Sequence, residues 1–189
     1  RRRTAVRLAA QVRPELAALA MPHAQLEFSV EPAPMGPRGA DSVTIMLAAN
    51  PGSDPVPLAK AASGGELSRV RLALEVVAAQ TQTPQTFVFD EIDSGVGGAV
   101  GIEIGRRLRQ LARRHQVIVV THLAQVAAFA DTHVVITKAS DGAVTSSGLR
   151  EVIGADREIE LSRMMSGMVD SESGHEHAHD LLREVRQRD

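Results

Sequence analysis

Two adjacent carboxylates, Asp90 and Glu91, directly follow an apolar run, Thr86 to Phe89, that has the composition of a buried strand. In open α/β sheets, ligands bind just beyond the carboxyl ends of the parallel strands. Successive side chains at such an end point in different directions, so one carboxylate can hold a metal ion while the other activates a nucleophilic water. The hexapeptide therefore predicts a magnesium-nucleotide site, and a strand followed by an acidic turn is the simpler alternative.

A second candidate site is the segment Ser63-Gly64-Gly65-Glu66, which lies where a loop meets the start of a long helical pattern. Two glycines allow the backbone to come close to an anion. The unpaired amides and the dipole of a helix N-terminus favour negative charge, and Ser63 adds a hydroxyl donor. The segment predicts a phosphate site. The alternative is that Ser63 only caps the helix.

Hydrophobic periodicity predicts the elements that must position these residues. Residues 4–20 have an amphipathic helical pattern with a kink or restart expected at Pro14. A hairpin is predicted from strands 26–30 and 42–50, separated by a loop over 31–40. The later elements are strands 86–89, 116–120 and 132–138, an edge strand after the Asp141-Gly142 turn, and helices 67–80, 99–115, 123–130, 156–165 and 176–188. Their alternation predicts an α/β fold with a parallel sheet, covering helices and an antiparallel edge hairpin.

The composition narrows the classes of function. The 189 residues include four Phe, no Trp, no Tyr and no Cys. Aliphatic residues must therefore form the core, and base stacking on aromatic side chains, disulfides, thiolate metal sites and cysteine nucleophiles are all disfavoured. The net charge of -2 argues against a uniformly basic nucleic-acid binder. We expect no membrane partner, because no apolar run approaches the ~20 residues that span a bilayer.

The order of the motifs resembles the second half of an ATP-binding-cassette ATPase head. Residues 63–67 match the signature motif, residues 86–91 the Walker B strand, and residues 92–98 the D-loop. The apolar run 117–120 leads to His122, which matches the switch histidine. A strand-end histidine satisfied by the backbone is the alternative for His122.

Three details resemble the RecN family, bacterial DNA-repair members of the SMC-like group. Glu66 stands where transporter signatures usually have glutamine, and residues 90–98 carry that family's glycine-rich D-loop. Residues 121–127 are similar to the family's Thr-His-Leu-Pro-Gln-Val-Ala stretch, with Ala124 in place of the proline. A transporter-type nucleotide-binding subunit is disfavoured by these details, and a non-catalytic interaction domain is disfavoured by the intact acidic pair and His122.

The resemblance implies that the complete protein binds ATP and Mg²⁺ and hydrolyses ATP in DNA double-strand-break repair and recombination. It implies that Asp90 holds the magnesium shell, that Glu91 polarises the attacking water and that His122 contacts the γ-phosphate. Phosphoryl transfer depends mainly on positioning and charge stabilisation, which agrees with this division.

The resemblance also implies a composite site between two heads. Ser63 and Gly65, within the signature motif that also includes Gly64 and Glu66, would contact the γ-phosphate of a nucleotide on the other head. Asp93 in the D-loop would couple the two sites. The expected partners are therefore a second head and DNA, and the expected location is the cytoplasm, in association with the nucleoid.

The chain contains no Gly-x-x-x-x-Gly-Lys-Ser/Thr phosphate loop, the Walker A motif. In the family that this chain resembles, an N-terminal segment carries the loop and a long coiled coil intervenes. We therefore expect residues 1–22 to end a coiled-coil helix, residues 23–189 to be the C-terminal segment of the head, and the Walker A segment of the same protein to be a partner. Without that segment the chain is expected to be inactive.

Two weaker patterns remain. One helix face carries Arg106, Arg109, Gln110 and Arg113, with other basic residues near it, which suits either DNA phosphates or a solvated helix surface. The alternating histidines at positions 175, 177 and 179 place two at the i,i+4 spacing of a helical metal site, or else mark an exposed helix start.

Overall fold

The computed structural model describes residues 1–61, 64–79, 83–140, 145–167 and 172–187. The chain divides into two compact units, Arg1–Val120 and Thr121–Asp189. Among the described residues, no helix combines the length and the apolar composition that crossing a membrane requires. The predicted α/β class is confirmed, because the chain combines a parallel strand pair with antiparallel hairpins and covering helices.

The first unit combines an N-terminal helix, an antiparallel sheet and a parallel strand pair with helices around it. Its elements are α1 (Arg2–Ala18), β1 (Gln25–Gly36), β2 (Gly39–Ala48), β3 (Val56–Pro57), α2 (Leu58–Ala61), α3 (Gly64–Ala78), β4 (Thr86–Phe89), α4 (Gly98–Ala112) and β5 (Gln116–Val119). Its core is aliphatic, as the composition predicts; fully buried members include Leu16, Leu47, Val70, Leu72, Ile104 and Leu111.

The β1–β2 hairpin is longer than the pattern predicts. It pairs from Gln25 opposite Ala48 to Gly36 opposite Gly39, so the loop expected over residues 31–40 is wrong. The register shifts between Pro32 and Gly36. Proline cannot donate to a ladder and is confined to edge strands and bulges, and β1 is the edge of its sheet. The strand therefore continues through its prolines as an irregular edge.

Helix α1 runs through Pro14 from Arg2 to Ala18, so the expected restart at this proline does not occur. Val12 and Leu16, on either side of the proline, are both fully buried. The helix packs against β1 and α3. Burial of this apolar stripe offsets the hydrogen bond that a proline inside a helix loses.

Strands β4 and β5 form the parallel pair that ends at the acidic residues. Phe89 lies opposite Val119, and the amide of Val120 donates to the Phe89 carbonyl over 3.0 Å. Phe87 and Phe89 are buried, whereas Val88 is 52% exposed. The sequence predicts a strand covered on both faces, and among the described residues only the phenylalanine face is covered. The other face is apolar but bare.

Arg107 joins helices α1 and α4 within the first unit. Its Nε donates to Glu15 Oε2 over 2.7 Å, and its Nη1 donates to Glu103 Oε2 over 2.5 Å. Burial alone would raise the pKa of Glu103, but hydrogen bonds from Arg107 and Arg106 outweigh that effect and lower it. The C-terminal end of α1 is thus tied electrostatically to the helix that follows the acidic turn.

The second unit is a hairpin with three helices. Its elements are α5 (Ala124–Ala127), β6 (His133–Ser140), β7 (Thr145–Val152), α6 (Gly154–Ser166) and α7 (Glu172–Gln187). The predicted edge hairpin is confirmed, although its Asp141-Gly142 turn lies outside the described residues. Strands β6 and β7 pair antiparallel from His133 opposite Val152 to Ser140 opposite Thr145. Helix α7 packs on α6.

Arg157 on α6 holds the short helix α5 in place. Its Nη2 lies within 3.2 Å of the carbonyl oxygens of Ala127, Ala128 and Ala130. A guanidinium at the C-terminal end of a helix pairs with the last carbonyls and complements the helix dipole. Because α5 begins two residues after His122, this contact fixes the helix that follows the predicted switch histidine.

Candidate nucleotide site

Asp90 and Glu91 occupy the position that the sequence predicts, immediately after β4. Both side chains are exposed, in contrast to the buried Phe89 before them. The ladder between β4 and β5 ends at the same point, at the Val120 amide. The chain therefore leaves the sheet as the two carboxylates begin, which places them at the carboxyl edge where α/β proteins bind ligands.

The acidic turn has a specific backbone geometry. Glu91 has a φ of 56°, in the left-handed region that costs a residue with a side chain about 1 kcal/mol or more. Its amide donates to Asp90 Oδ1 over 2.9 Å, and its carbonyl accepts from the Ser94 amide over 3.0 Å. The first bond orients the Asp90 carboxylate, and the second closes a turn over residues 91–94. The sequence carries no signal for this left-handed residue.

The signature glycines lie against this acidic turn in the same chain. A methyl group on Gly64 would lie 2.6 Å from Glu91 Oε2. A methyl group on Gly65 would lie 2.9 Å from Ser94 Cβ and 3.1 Å from the carbonyl oxygens of Glu91 and Ser94. Backbone atoms leave no room for a Cβ at Gly65, and Gly64 leaves the space that the Glu91 carboxylate occupies. The two motifs predicted separately therefore form one cluster. Ser63 lies outside the described residues.

Helix α3 is bonded to β4 by two side chains that lie outside the predicted motifs. Ser68 Oγ donates to the Asp90 carbonyl over 2.9 Å, and Arg71 Nη1 donates to the Val88 carbonyl over 3.4 Å. The Arg71 guanidinium carbon also lies 5.5 Å from the centre of the Phe89 ring, within range of a cation–π contact. Their only sequence signal is that they are polar residues in the first two turns of an otherwise apolar helix.

Two further predicted site residues have different surroundings. Asp93 is 2% exposed, within the turns that follow Glu91, and Glu66 is half-buried in the first turn of α3. Both are engaged in contacts within the protein. A buried aspartate in the D-loop fits a role in shaping that loop.

His122 lies in the second unit, just after its first residue, and its side chain is exposed. The Leu123 amide donates to Thr121 Oγ1 over 3.1 Å, which closes the short turn around His122. The contact of His122 with the γ-phosphate stays a prediction.

Two basic residues near the predicted basic face of α4 are buried. Arg106 is exposed and is paired with Glu103 over 3.1 Å. Arg107 is buried in its pairs with carboxylates, and His115 is also buried, where its Nδ1 accepts from the Gln85 amide over 3.3 Å. These two residues therefore add nothing to a phosphate-binding surface, and the face formed by Arg106, Arg109, Gln110 and Arg113 stays a prediction.

The alternating histidines lie in the first turns of α7. His175 is half-buried, and His177 and His179 are exposed. In the described ranges, no three His, Cys, Asp or Glu side chains cluster closely enough to hold a metal ion.

The chain is similar to DNA repair proteins named RecN. It is 50% identical over 199 residues to RecN of Streptomyces coelicolor, an alignment that covers 98% of this chain and 35% of that protein. It is 48% identical over 204 residues to RecN of Mycobacterium tuberculosis strain H37Rv, covering 96% of this chain and 34% of that protein. The chain thus spans about a third of the length of these relatives. No protein-family model matches it.

Solved structures of SMC heads share the fold. The Smc head domain with coiled coil and joint from Pyrococcus yayanosii superposes with a TM-score of 0.61 at 22% identity, covering 87% of this chain and 30% of that one. An SMC head bound to the C-terminal winged-helix domain of ScpA gives a TM-score of 0.54 at 22% identity, covering 79% of this chain and 43% of that one. Over nearly its whole length, the chain is therefore homologous to a segment that makes up about a third of the length of RecN DNA repair proteins, as its motifs predict. It has the fold of part of an SMC ATPase head.

Proposed function

We propose that this chain is the C-terminal part of the ATP-hydrolysing head of a RecN-like protein that acts in DNA double-strand-break repair and recombination. One observation carries the proposal: the signature glycines and the acidic turn form a single cluster, in which Gly64 lies against the Glu91 carboxylate. The relatives named for DNA repair support the biological role. DNA is the expected target of the complete protein, and the nucleoid its expected location.

Asp90 suits a magnesium ligand. Carboxylate oxygens are hard ligands of the kind that Mg²⁺ binds, and Asp90 is exposed at the end of β4. The hydrogen bond from the Glu91 amide and the bond from Ser68 to the Asp90 carbonyl hold this residue on both its side-chain and main-chain oxygens. When bound with ATP, Mg²⁺ neutralises charge that develops on the phosphate oxygens.

Glu91 suits the base that polarises the attacking water. A general base must come within hydrogen-bonding distance of the water that it activates. The Glu91 side chain is exposed, while its backbone is held by the turn to Ser94. The carboxylate can therefore face a water while the turn holds the Glu91 backbone in place. We propose that His122 contacts the γ-phosphate.

The start of α3 suits a γ-phosphate supplied by another head. Gly64 is exposed and opens the helix, so its backbone can approach an anion closely, and the helix dipole favours negative charge there. We assign the same contact to Ser63, on the resemblance alone. Two heads related by a two-fold axis would each supply this segment to the other, and Asp93 would couple the two sites.

The bare face of the β4–β5 pair suits the Walker A segment of the same protein. Val88 and Ile118 lie opposite each other on this face and are 52% and 48% exposed, and Val120 continues it. Parallel sheets are normally covered on both faces, because βαβ connections place helices on each side. The chain spans about a third of its relatives' length, so the complete protein has ample sequence to supply the cover.

The proposal is tested by Glu91→Gln in the complete protein. We expect ATP turnover to fall about 100-fold or more, the usual contribution of a general base, while ATP-dependent head association persists. Glu27→Gln, the same change at an exposed position on β1, is the matched control and should leave turnover unchanged. Normal turnover in Glu91→Gln would refute the assignment of the base.

A further inference from the structure

Arg69 on α3 is buried although the helical pattern counts it among the polar positions. It is 7% exposed, and its Nη1 donates to the carbonyl oxygen of Ser94 over 3.1 Å. Burial lowers the pKa of Arg69, and the charge of Glu66 one turn earlier partly opposes that effect. Its Nε is buried with no hydrogen-bond partner. An unsatisfied buried donor costs stability, so an apolar side chain of similar size would suit this position at least as well if packing were all that mattered.

The acceptor of this hydrogen bond, the Ser94 carbonyl, belongs to the residue that closes the acidic turn. The Ser94 amide donates to the Glu91 carbonyl, so Ser94 is the last residue of the turn that Glu91 begins. The same Ser94 carbonyl lies 3.1 Å from the position of a methyl group on Gly65. Arg69 and Gly65 are one helical turn apart on α3: Arg69 donates to the Ser94 carbonyl, and Gly65 leaves room for it. The turn between Glu91 and Ser94 includes the buried Asp93.

We propose that Arg69 is a positioning residue for ATP hydrolysis: it fixes the turn from Glu91 to Ser94 on the helix that begins with the signature glycines. This inference rests on the proposed function. Arg69 thereby links two parts of the proposed site. One is the start of α3, which would contact the nucleotide of the other head, and the other is the Glu91 carboxylate, which would act on the nucleotide of its own head. Loss of the bond should therefore weaken the chemical step more than nucleotide binding, because the Walker A segment supplies most contacts to the phosphates.

The test compares Arg69→Met with Arg71→Met in the complete protein. Arg71 is the matched control, because it lies on the same helix and donates to a carbonyl of β4 instead of the D-loop. We expect Arg69→Met to lower kcat about tenfold, with KM for ATP within about twofold of the unmodified protein, since the lost interaction acts mainly in the transition state. Arg71→Met should keep the unmodified kcat. Arg69→Lys, which retains a donor, should recover part of the loss.

Thermal melting without nucleotide separates positioning from folding. The proposal expects the melting temperatures of Arg69→Met and Arg71→Met to be similar. It is overturned if the two variants lose kcat equally, or if the loss in Arg69→Met follows a fall in its melting temperature. If Arg69→Met does not fold, Arg69→Gln is the variant to measure, because its shorter side chain does not reach the Ser94 carbonyl. A reduced kcat at unchanged KM in Arg69→Gln supports the proposal, and an unmodified kcat overturns it.

Glu91→Gln in the same assay separates the two proposals. Undiminished hydrolysis by Glu91→Gln would refute the proposed function itself. Loss of hydrolysis in Glu91→Gln with unmodified kcat in Arg69→Met would refute only the role of Arg69.

Discussion

Gly64 leaves the space that the Glu91 carboxylate occupies, since a methyl group at Gly64 would lie 2.6 Å from Glu91 Oε2. These residues are 27 positions apart in sequence and belong to two separate motifs. Gly64 belongs to the segment that we propose binds the nucleotide of the other head. Glu91 is the base that we propose acts on the nucleotide of its own head, so this contact joins the two composite sites. The neighbouring glycine, Gly65, meets backbone atoms instead of a flexible side chain. This difference gives opposite predictions for the two glycines.

Gly64→Ala should change activity more than stability. The atom that its methyl group meets is the far end of the Glu91 side chain, which can rotate away at little cost in folding free energy. The displaced Glu91 carboxylate would no longer be positioned to polarise the attacking water, so we expect reduced ATP turnover in the complete protein. Urea unfolding should show a change below about 1 kcal/mol. A turnover equal to that of the unmodified protein would contradict the importance of this contact.

Gly65→Ala should destabilise the fold. Its methyl group would meet Ser94 Cβ and two carbonyl oxygens, so the D-loop backbone must move. We expect a loss of roughly 1–3 kcal/mol in the free energy of unfolding, as for other overpacked sites. The chain has no Trp or Tyr, so circular dichroism during urea unfolding is the suitable measurement. Gly36→Ala is the control, because a methyl group there meets no atom within 4 Å. Equal stability of the two variants would contradict the close packing.

Arg107→Met should weaken the link between α1 and α4. The guanidinium is buried and is hydrogen-bonded to Glu15 and Glu103, whose side chains are partly exposed and can be hydrated when the arginine is removed. We expect a loss of about 2 kcal/mol, in the range for hydrogen bonds to charged groups. Arg106→Met, which removes an exposed pair with Glu103, should cost about 0.5 kcal/mol or less. Urea unfolding of both variants tests this order, and a reversed order would contradict it.

His133 should make the second unit less stable in mild acid. Burial lowers its pKa below the ordinary 6.5, with a further lowering from the charge of Arg157 and an opposing effect from Glu160. The unfolded chain therefore takes up a proton first, so the free energy of unfolding is at its full value above 6.5 and decreases below that pH until the folded-state pKa is passed.

The measurement is the urea midpoint between about pH 7.5 and 5.5, above the range in which most carboxylates titrate. Glu160 has a pKa lowered chiefly by the hydrogen bond from Arg163, so its own contribution is lost only below about 4.5. We expect a falling midpoint in the unmodified chain and a flatter dependence in His133→Phe. An equally steep dependence in that variant would assign the effect to another group.

Ile118→Glu should prevent the Walker A segment from docking on the bare sheet face. Ile118 is 48% exposed, so the substitution costs the isolated chain little, but a buried unpaired carboxylate would be strongly unfavourable beneath a covering segment. We expect binding to a co-expressed N-terminal segment to weaken more than tenfold. Val43→Glu, at a similarly exposed apolar position on β2, should bind normally. Equal binding by both variants would place the docking surface elsewhere.

Local patterns in the sequence determined the kind and order of the elements. The apolar run before Asp90 and the strand at 26–30 lie inside observed elements, and the strand at 42–50 and the helix at 67–80 each overlap one element and extend two residues past its end. The spacing of apolar residues within each segment is a local property of a few neighbouring positions, so the pattern alone indicates the kind of element. The same patterns placed the acidic pair at a strand end and the glycines at a helix start.

The tertiary structure decided how those segments meet. The hydrogen bond of the buried Arg69 to Ser94 and the space at Gly64 both depend on contacts between residues more than 20 positions apart. The sequence shows Arg69 only as a polar member of a helical pattern, because periodicity cannot show that a distant carbonyl lies beside one helix face. The pattern also read residues 31–40 as a loop, because pairing along β2 overrode the low strand propensity of proline. Sequence thus identified the residues for the chemistry, whereas only long-range packing brought two of its motifs into one cluster.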